Sequence, residues 1–237
     1  MTEMALKVGL TPEQKCSYLA EQRERLMVLL DPNRLSPTSY EELLKAGFRR
    51  SGDDLYRPHC QGCQACCSLR IPVDEFTPDR RQRRILRRNQ DLSFTLSHQD
   101  KPEYYDLFCR YISLRHKDGT MYPPSRKQYD GFLLCSWMPP LFMEFHSGHR
   151  LIAVAITDAM PNSLSAMYTL FEPEEESRSL GAYAILSQIA LARRMRKQWL
   201  YLGYQIEACR KMNYKTQYLP HEQLIEQEWK KTPCPAE

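Results

Sequence analysis

The chain has 237 residues, 42% hydrophobic and 26% charged, a composition typical of a globular protein with one or two domains. The net charge is only +4, so the total charge by itself does not indicate a nucleic-acid-binding protein. Apolar runs such as "LIAVAI" are far shorter than the roughly 20 residues that span a bilayer, so no membrane partner is expected.

The first residues, "MTEMALKVGLTPEQKC", include acidic side chains and lack an apolar core of signal-peptide length. We therefore expect a cytoplasmic protein with reduced thiols. The nine cysteines are odd in number and unevenly spaced, which argues against a disulfide framework.

The first half of the chain predicts strands and two short helices. Residues 12–30 are ambiguous between helix and strand. In "SPTSYEELLKAGF", Ser39 and Glu42 have the spacing of a capping box, which predicts a short helix. "LRIPVDEF" is typical of a strand. "TPDRRQRRILRRNQD" predicts a second helix with Thr77 as N-cap and Pro78 at the first helical position.

The second half predicts strands and longer helices. "LSFTLS" is typical of a strand, and "PEYYDLFCRYISLRH" has the spacing of an amphipathic helix. Two strands joined by a hairpin at Ser147 and Gly148, a third strand, a long helix and the strand "WLYLGYQI" follow. This order predicts an α+β, acyltransferase-like sheet. We place a boundary near Asp100, between an N-terminal subdomain of residues 1–100 and a domain of residues 101–237.

The run "RRQRRILRR" holds six arginines and no acidic residue, which predicts a local positive surface on the second helix. Because a guanidinium group can donate two hydrogen bonds to phosphate, several of them in a row could follow a nucleic-acid backbone. A solvated surface helix is the alternative. The six residues are Arg80, Arg81, Arg83, Arg84, Arg87 and Arg88.

The stretch "YRPHCQGCQACCSLRIP" places four cysteines within eight residues. Its C-x2-C spacing lets thiolates converge on zinc, and the C-x2-C-x2-C run also suits an iron–sulfur cluster. Packing as small buried side chains is equally open, and a thiol nucleophile paired with His59 is a third interpretation. The candidate metal ligands are Cys16, Cys60, Cys63, Cys66 and Cys67.

Two further segments carry candidate binding residues. In "SRSLG", Arg178 and the first backbone donors of the long helix could hold an anion, or a serine could cap the helix. The segment "YLGYQIEACRKMNYK" combines tyrosines that could stack on a base with cations that could meet phosphate or carboxylate. A core strand that ends in a basic turn is the alternative. These side chains are Tyr201, Tyr204, Tyr214, Arg210, Lys211 and Lys215.

Several blocks in one order carry a resemblance to a known family. They are "CSYL", "YRPHCQGCQAC", "DEFTPDRRQRR", "SAMYTLFEP", "SRSLGAYAILSQIALAR" and "YLGYQIEACRKMNYK". Together they resemble the bacterial aspartate/glutamate leucyltransferases, relatives of the eukaryotic arginyl-tRNA–protein transferases. A set of ordered blocks is far more specific than any single motif.

The resemblance implies a GNAT-like acyltransferase fold in the C-terminal half, beside a smaller cysteine-containing N-terminal subdomain. It also implies transfer of leucine from leucyl-tRNA to the α-amine of proteins that begin with Asp or Glu, as a degradation signal of the N-degron pathway. The partners would be leucyl-tRNA and proteins that begin with Asp or Glu. DNA would not be a partner. Arginyl transfer to the same acceptors and a non-catalytic RNA-binding or metal-binding regulator are the alternatives.

The implied reaction is attack of a neutral amine on an activated ester, which needs alignment, proton removal and oxyanion stabilisation but no cofactor. Tyr168 and Tyr204 are predicted to orient the 3′ adenosine or relay a proton. Arg178, with Arg210 or Lys211, is predicted to pair with the acidic side chain of the acceptor. The six arginines would hold tRNA phosphates.

The resemblance does not decide whether the cysteines bind a metal. The eukaryotic relatives have a C-x2-C pair where this chain has "CSYL", so one thiol of that pattern is missing. A zinc ion or an iron–sulfur cluster is therefore a hypothesis for this chain.

Overall fold

The computed structural model describes residues 6–31 and 35–232 of the chain. The helices are α1 (Pro37–Lys45), α2 (Arg80–Arg88), α3 (Pro102–Arg115), α4 (Arg126–Leu133) and α5 (Leu180–Arg194). Short 3-10 helices cover Pro173–Arg178 and Asn213–Gln217. The strands are β1 (Val8–Leu10), β2 (Gln14–Lys15), β3 (Arg23–Glu24), β4 (Leu26–Leu29), β5 (Arg49–Ser51), β6 (Asp54–Pro58), β7 (Cys67–Pro72), β8 (Ser93–Ser97), β9 (Leu141–Ser147), β10 (Arg150–Ala159), β11 (Ser163–Phe171), β12 (Trp199–Gln205), β13 (His221–Ile225) and β14 (Glu228–Thr232).

An eight-stranded sheet forms the centre of the fold, in the order β14-β13-β7-β12-β11-β10-β9-β8. Its neighbouring strands are antiparallel except β11 and β12, which are parallel. A parallel pair needs a crossover connection, and α5 lies in the segment that joins these two strands. The predicted α+β class is confirmed. The order behind the GNAT-like expectation is present as β10, β11, α5 and β12.

The first hundred residues contribute to more than one sheet. Strands β1, β4, β6 and β5 form a four-stranded sheet, and β2 pairs with β3. Strands β7 and β8 instead lie in the eight-stranded sheet, where β7 pairs with β12 and β8 with β9. The boundary near Asp100 stays a prediction about domain organisation, and the large sheet draws strands from both sides of it.

The two longest helices bury the faces that their spacing predicted. In α5, Ile185, Ile189 and Ala192 are buried in a core cluster with residues of the large sheet. A second cluster is formed by the apolar face of α3 together with strand residues of β9, β10 and β11. The buried α3 residues are Tyr104, Leu107, Phe108, Tyr111 and Ile112. Burial of these aromatic and aliphatic side chains is the main stabilising term of both helices.

Both short helices begin at a different residue from the one predicted. Helix α1 is capped by Ser36, whose side chain accepts a hydrogen bond from the backbone N–H of Ser39. The Ser39 side chain in turn accepts from the backbone N–H of Ser36. Helix α2 is capped by Asp79, in a capping box with Gln82, and not by Thr77. In each helix the capping residue and a polar residue three positions later accept a hydrogen bond from each other's backbone N–H group. A Ser–Ser or an Asp–Gln pair can do this as well as a Ser–Glu pair.

Several elements were not predicted from the sequence. The ambiguous residues 12–30 form the short strands β2, β3 and β4, and α4, β13 and β14 were also missed. These strands have mostly exposed or half-exposed side chains, so they lack the clear alternation that reveals a strand. No helix among the described residues is long and apolar enough to cross a bilayer.

A buried ion pair joins the small sheet to the large one. The Nε and Nη2 atoms of Arg50 in β5 donate to the carboxylate of Asp158 in β10 at 2.7–2.9 Å. Both side chains are fully buried. Arg50 also donates to the carbonyl oxygens of Gly52 and Leu133. The pair therefore ties β5, α4 and β10 together.

Gly52 shows how closely these segments approach. Its φ of +58° favours glycine, and a Cβ atom there would lie 2.3 Å from the carbonyl oxygen of Gly131. Its backbone N–H donates to the carbonyl of Phe132 at 2.9 Å. The turn between β5 and β6 therefore packs against α4. The Arg50 side chain, just before this turn, extends to Asp158.

We expect Asp158→Ala to lower the free energy of unfolding by about 3–5 kcal/mol, because it leaves the buried Arg50 charge without its counter-ion. Urea unfolding followed by circular dichroism measures this loss. Asp118→Ala is the control, because it removes an exposed partner of Lys211 and should change stability little. Equal unfolding curves for the Asp158→Ala variant and the unmodified protein would contradict the structural role of the pair.

Candidate functional site

A cavity of about 530 Å³ opens where two parallel strands of the large sheet diverge. Strands β11 and β12 pair only between residues 163–165 and 199–201. Beyond that point, residues 166–169 of β11 and 202–204 of β12 line the cavity. A β-bulge in the β10–β11 pairing lies at the same level, between Ile156 and Thr157. Bulges of this kind redirect backbone and side chains next to functional sites.

Among the residues that the structure describes, the cavity wall contains four cations and no acidic side chain. Two of the cations are neutralised by carboxylates outside the wall: Arg50 by Asp158, and Lys211 by Asp118 at 2.8 Å. The other two, Arg49 and Lys215, form no ion pair with any carboxylate in the described ranges. The cavity therefore has a net positive wall.

Arg49 is 6% exposed and lies between aromatic rings. Its guanidinium carbon is 5.4 Å from the ring centre of Tyr201 and 5.3 Å from that of Tyr204. Its Nη1 atom donates to the Phe48 carbonyl at 2.6 Å. The aromatic faces stabilise a buried cation, but they are not a counter-ion.

Lys215 is also 6% exposed and belongs to the 3-10 helix Asn213–Gln217. Its Nζ atom donates to the backbone carbonyl of Tyr204 and lies 3.6 Å from the sulfur of Met212. Burial, together with the positive charge of Arg49, lowers the pKa of Lys215 to about 7. At neutral pH this amine is therefore partly uncharged.

A glycine of β12 with a positive φ lies beside this lysine. Gly203 has a φ of +80°, and a Cβ atom there would be 4.0 Å from Lys215 Nζ. The positive φ coincides with a bulge in the β7–β12 pairing between Tyr201 and Gly203. An L-residue at this position would be strained by its φ value.

The two tyrosines predicted to be catalytic both line the cavity, in different states. The Tyr204 hydroxyl donates to the Gly47 carbonyl at 2.8 Å, and burial raises its pKa well above the usual value. The Tyr168 hydroxyl has no hydrogen-bond partner in the described part of the chain, and burial raises its pKa too. Tyr168 is thus the one with a hydroxyl available to a ligand, and both catalytic roles stay predictions.

The three residues predicted to bind the acceptor's carboxylate do not come together. Arg178 donates through Nη1 and Nη2 to Asp91 and through Nε to Glu175, all at 2.9 Å, outside the cavity wall. Arg210 is exposed and does not line the cavity. Lys211 does line it, with its Nζ paired to an aspartate. Their substrate-binding role stays a prediction.

The arginine helix lies beside the segment that closes the cavity. The six arginines of α2 are all exposed, while Gln82 and Ile85 face inward. None of the six forms an ion pair with a carboxylate in the part of the chain that the structure describes. Arg81 Nη1 donates to the Gln217 side chain at 3.0 Å, and Gln82 Nε2 donates to the Gln217 carbonyl at 3.1 Å. Gln217 ends the 3-10 helix that carries Lys215.

The predicted thiols line a second cavity of about 940 Å³, which shares Tyr18, Tyr56, Phe132 and Tyr204 with the first. Burial raises the pKa of the Cys66 thiol to about 12, and four neighbouring thiols add to the effect: Cys60, Cys16, Cys63 and Cys67. The five thiols are therefore neighbours. No three cysteine, histidine or acidic side chains among the described residues are placed to hold a metal ion. A zinc or iron–sulfur site stays a prediction, and no step of the chemistry depends on it.

The sequence interpretation missed Arg49 as a site residue and did not distinguish Lys215 from its basic neighbours. Arg49 lies in "GFRRSG", where two adjacent arginines in a short strand give no chemical signature. Alternation along a strand predicts only that the two arginines face opposite sides; that both are buried is seen in the structure.

The sequence matches two segments of one family. Residues 14–84 match "Arginine-tRNA-protein transferase, N terminus", and residues 103–225 match "Arginine-tRNA-protein transferase, C terminus". The matched segments include the arginine helix up to Arg84. They also include the region where β11 and β12 diverge, residues 166–169 and 202–204, which is called the wedge below. They define an aminoacyl-tRNA–protein transferase.

Curated relatives narrow this class. The chain is 62% identical over 228 residues to the "Aspartate/glutamate leucyltransferase" of Aeromonas salmonicida, covering 96% of each chain. It is 53% identical over 232 residues to the protein of the same name from Pseudomonas aeruginosa, covering 97% of this chain and 98% of that one. The chain therefore belongs to the aspartate/glutamate leucyltransferase family.

Two solved structures are similar in outline. The C-terminal domain of a putative lysylphosphatidylglycerol synthetase from Agrobacterium fabrum has a TM-score of 0.44 and 12% identity, covering 72% of this chain and 52% of that one. FemX has a TM-score of 0.41 and 9% identity, covering 87% and 81%. The family assignment depends on the sequence matches alone.

Replacing Lys215 by Met should change how stability depends on pH. The folded-state pKa of about 7 is lower than the usual value of 10.5, so the unfolded chain binds more protons between these two values. The unfolding free energy of the unmodified protein should therefore rise, relative to that of Lys215→Met, from pH 7 to about pH 10.5. Urea unfolding at several pH values measures the difference, and a constant difference would contradict the depressed pKa.

Proposed function

We propose that this protein transfers leucine from leucyl-tRNA to the α-amino group of proteins that begin with Asp or Glu. The names of the curated relatives support the donor and the acceptors. The family description supports transfer from an aminoacyl-tRNA to a protein. Transfer of arginine to the same acceptors is the second candidate, because the matched family is described by that amino acid.

The contact between α2 and the 3-10 helix Asn213–Gln217 is the observation that carries the proposal. It places an exposed arginine surface next to the cavity that holds Lys215. A tRNA bound through its phosphates on that surface could deliver its aminoacylated 3′ end into the cavity. Because the six arginines form no ion pairs with described carboxylates, they are free to neutralise phosphates.

The wedge between β11 and β12 suits the chemistry of ester aminolysis. The amine must meet the ester carbonyl, lose a proton and leave negative charge on the carbonyl oxygen. Where the two strands diverge, the backbone N–H groups of β11 on that side pair with no strand among the described residues and could donate to the developing oxyanion. Lys215 is partly uncharged at neutral pH and could accept the proton, directly or through water. The ester is already activated, so no covalent enzyme intermediate is required.

The proposed reaction also implies a cellular role. Leucine added to an acidic N-terminus would change the residue that a degradation system reads, so the protein would act in an N-degron pathway. Both substrates would then be met in the cytoplasm. The partners are leucyl-tRNA and proteins with N-terminal Asp or Glu.

An amino-acid transfer assay tests the donor and the acceptor together. Purified protein should incorporate labelled leucine from leucyl-tRNA into a peptide that begins with Asp or Glu, and should not incorporate it into one that begins with Ala. Arginyl-tRNA is the matched donor. Arginine incorporation without leucine incorporation would replace the first candidate by the second, and tRNA binding without any transfer would indicate a non-catalytic RNA-binding protein.

Replacing Arg83, Arg84 and Arg87 together by Ala should weaken tRNA binding, because three exposed cations are removed from the proposed phosphate surface. The slope of log K against log salt should fall in magnitude by about 2 to 3, close to one unit per lost contact. Filter binding at several salt concentrations measures the slope.

The matched control replaces three exposed basic residues that already form ion pairs: Arg126, Arg150 and Lys230. It changes the net charge by the same amount away from α2, so its slope should stay near that of the unmodified protein. If the two triple variants lose the same slope, α2 is not the tRNA surface.

A further inference from the structure

Two basic side chains of the cavity wall lack a carboxylate partner in residues 6–31 and 35–232. They are Arg49 and Lys215, which are each 6% exposed and line the same cavity. Burying the guanidinium charge of Arg49 without a counter-ion costs free energy. Neither Arg50 nor Lys211 shares this state, since each has its own aspartate.

The unused atoms of Arg49 define the geometry of the missing partner. Its Nη1 atom is occupied by a backbone carbonyl, while Nε and Nη2 are buried and have no hydrogen-bond partner in the described part of the chain. These two atoms form one edge of the planar guanidinium group. That edge matches the two oxygens of a carboxylate in a bidentate pair.

Among the described residues, this edge binds a carboxylate at three other places, at Arg50, Arg70 and Arg110. Arg50 donates through Nε and Nη2 to Asp158, and Arg70 donates through Nε and Nη2 to Glu222 at 2.8 and 2.7 Å. Arg49 presents the same pair of atoms with no carboxylate of its own.

The surroundings favour a carboxylate on a short side chain over a phosphate of tRNA. Arg49 lies against the rings of Tyr201 and Tyr204, and aromatic and aliphatic residues dominate the wall of the cavity. A backbone phosphate carries sugars on both sides and needs an open surface such as that of α2. An aspartate or glutamate side chain can enter a cavity of about 530 Å³ from the end of a peptide.

We propose that the Nε and Nη2 edge of Arg49 binds the side-chain carboxylate of the acceptor protein's first residue. The inference rests on the proposed function and names the residue that selects an acidic acceptor. It assigns to Arg49 the role that the sequence suggested for Arg178, Arg210 or Lys211. Arg49 thereby holds the acceptor while its α-amine faces the wedge between β11 and β12.

The test compares acceptor peptides that differ only at the first residue, Asp against Asn and Glu against Gln, in the unmodified protein and in Arg49→Gln. The unmodified protein should prefer Asp and Glu. In Arg49→Gln, KM for the Asp peptide should rise about 10- to 100-fold while KM for leucyl-tRNA stays nearly constant, because one charged bidentate contact to the acceptor is lost. The ratio of kcat/KM for Asp over Asn should fall by the same factor.

Arg49→Lys keeps the charge but not the planar edge, and serves if Arg49→Gln does not fold. It should lower the Asp-over-Asn ratio while retaining more of it than Arg49→Gln does. Arg150→Gln is the matched control, since Arg150 is an exposed arginine at the start of β10 with its own acidic partners. Its ratio should equal that of the unmodified protein. Circular dichroism and thermal unfolding establish that each variant is folded.

Each outcome is decisive. A folded Arg49 variant that keeps the full Asp-over-Asn ratio overturns the inference and leaves the proposed function intact. An increase in KM for leucyl-tRNA alone overturns it in favour of a tRNA phosphate as the anion. If the unmodified protein transfers no leucine to any peptide, the proposed function fails first, and this inference fails with it.

Discussion

The buried pair between Arg50 and Asp158 is the interaction on which the arrangement of the site depends. Two charges withdrawn from water are stable only when each satisfies the other, and here a bidentate contact and two backbone carbonyls do so. The contact holds β5 of the small sheet against β10 of the large one. Because successive side chains of a strand point to opposite faces, holding Arg50 also directs its neighbour Arg49 toward the rings of Tyr201 and Tyr204. The N-terminal residues thus supply a cation to a cavity built mainly by the C-terminal half.

The chain handles positive charge in two physically different ways. On α2 the charges are exposed and hydrated, so they cost little and can meet a long polyanion wherever it lies. In the cavity the charges are buried, so each needs a specific partner in a specific geometry, and burial with the nearby charge of Arg49 lowers the pKa of Lys215. The two regions meet at Gln217, which contacts α2 and ends the helix that carries Lys215. Under the proposed function, the donor and the acceptor would be recognised by separate surfaces that lie side by side.

How far the sequence could be interpreted depended on whether the signal was local. The apolar faces of α3 and α5 were predicted correctly because a helix repeats its buried positions every three to four residues. Short exposed strands such as β2 and β3 carry no such repeat and were missed. Arg178 resembled a ligand-binding residue at a helix start, yet Asp91, far away in sequence, already occupies it. Whether a charged side chain is free depends on contacts between distant segments, which spacing does not encode.

The sequence by itself determined the family, the α+β class, the basic helix and the clustering of the thiols, because each is recorded in residue order or in local periodicity. Only the tertiary structure decided which cations are neutralised and which are not. Arg49 and Arg50 are adjacent and chemically identical, but Arg50 is paired with Asp158, whereas Nε and Nη2 of Arg49 have no hydrogen-bond partner in the described part of the chain. The physical reason is that burial and pairing of a charge are set by strands and helices that come together across more than a hundred residues of chain.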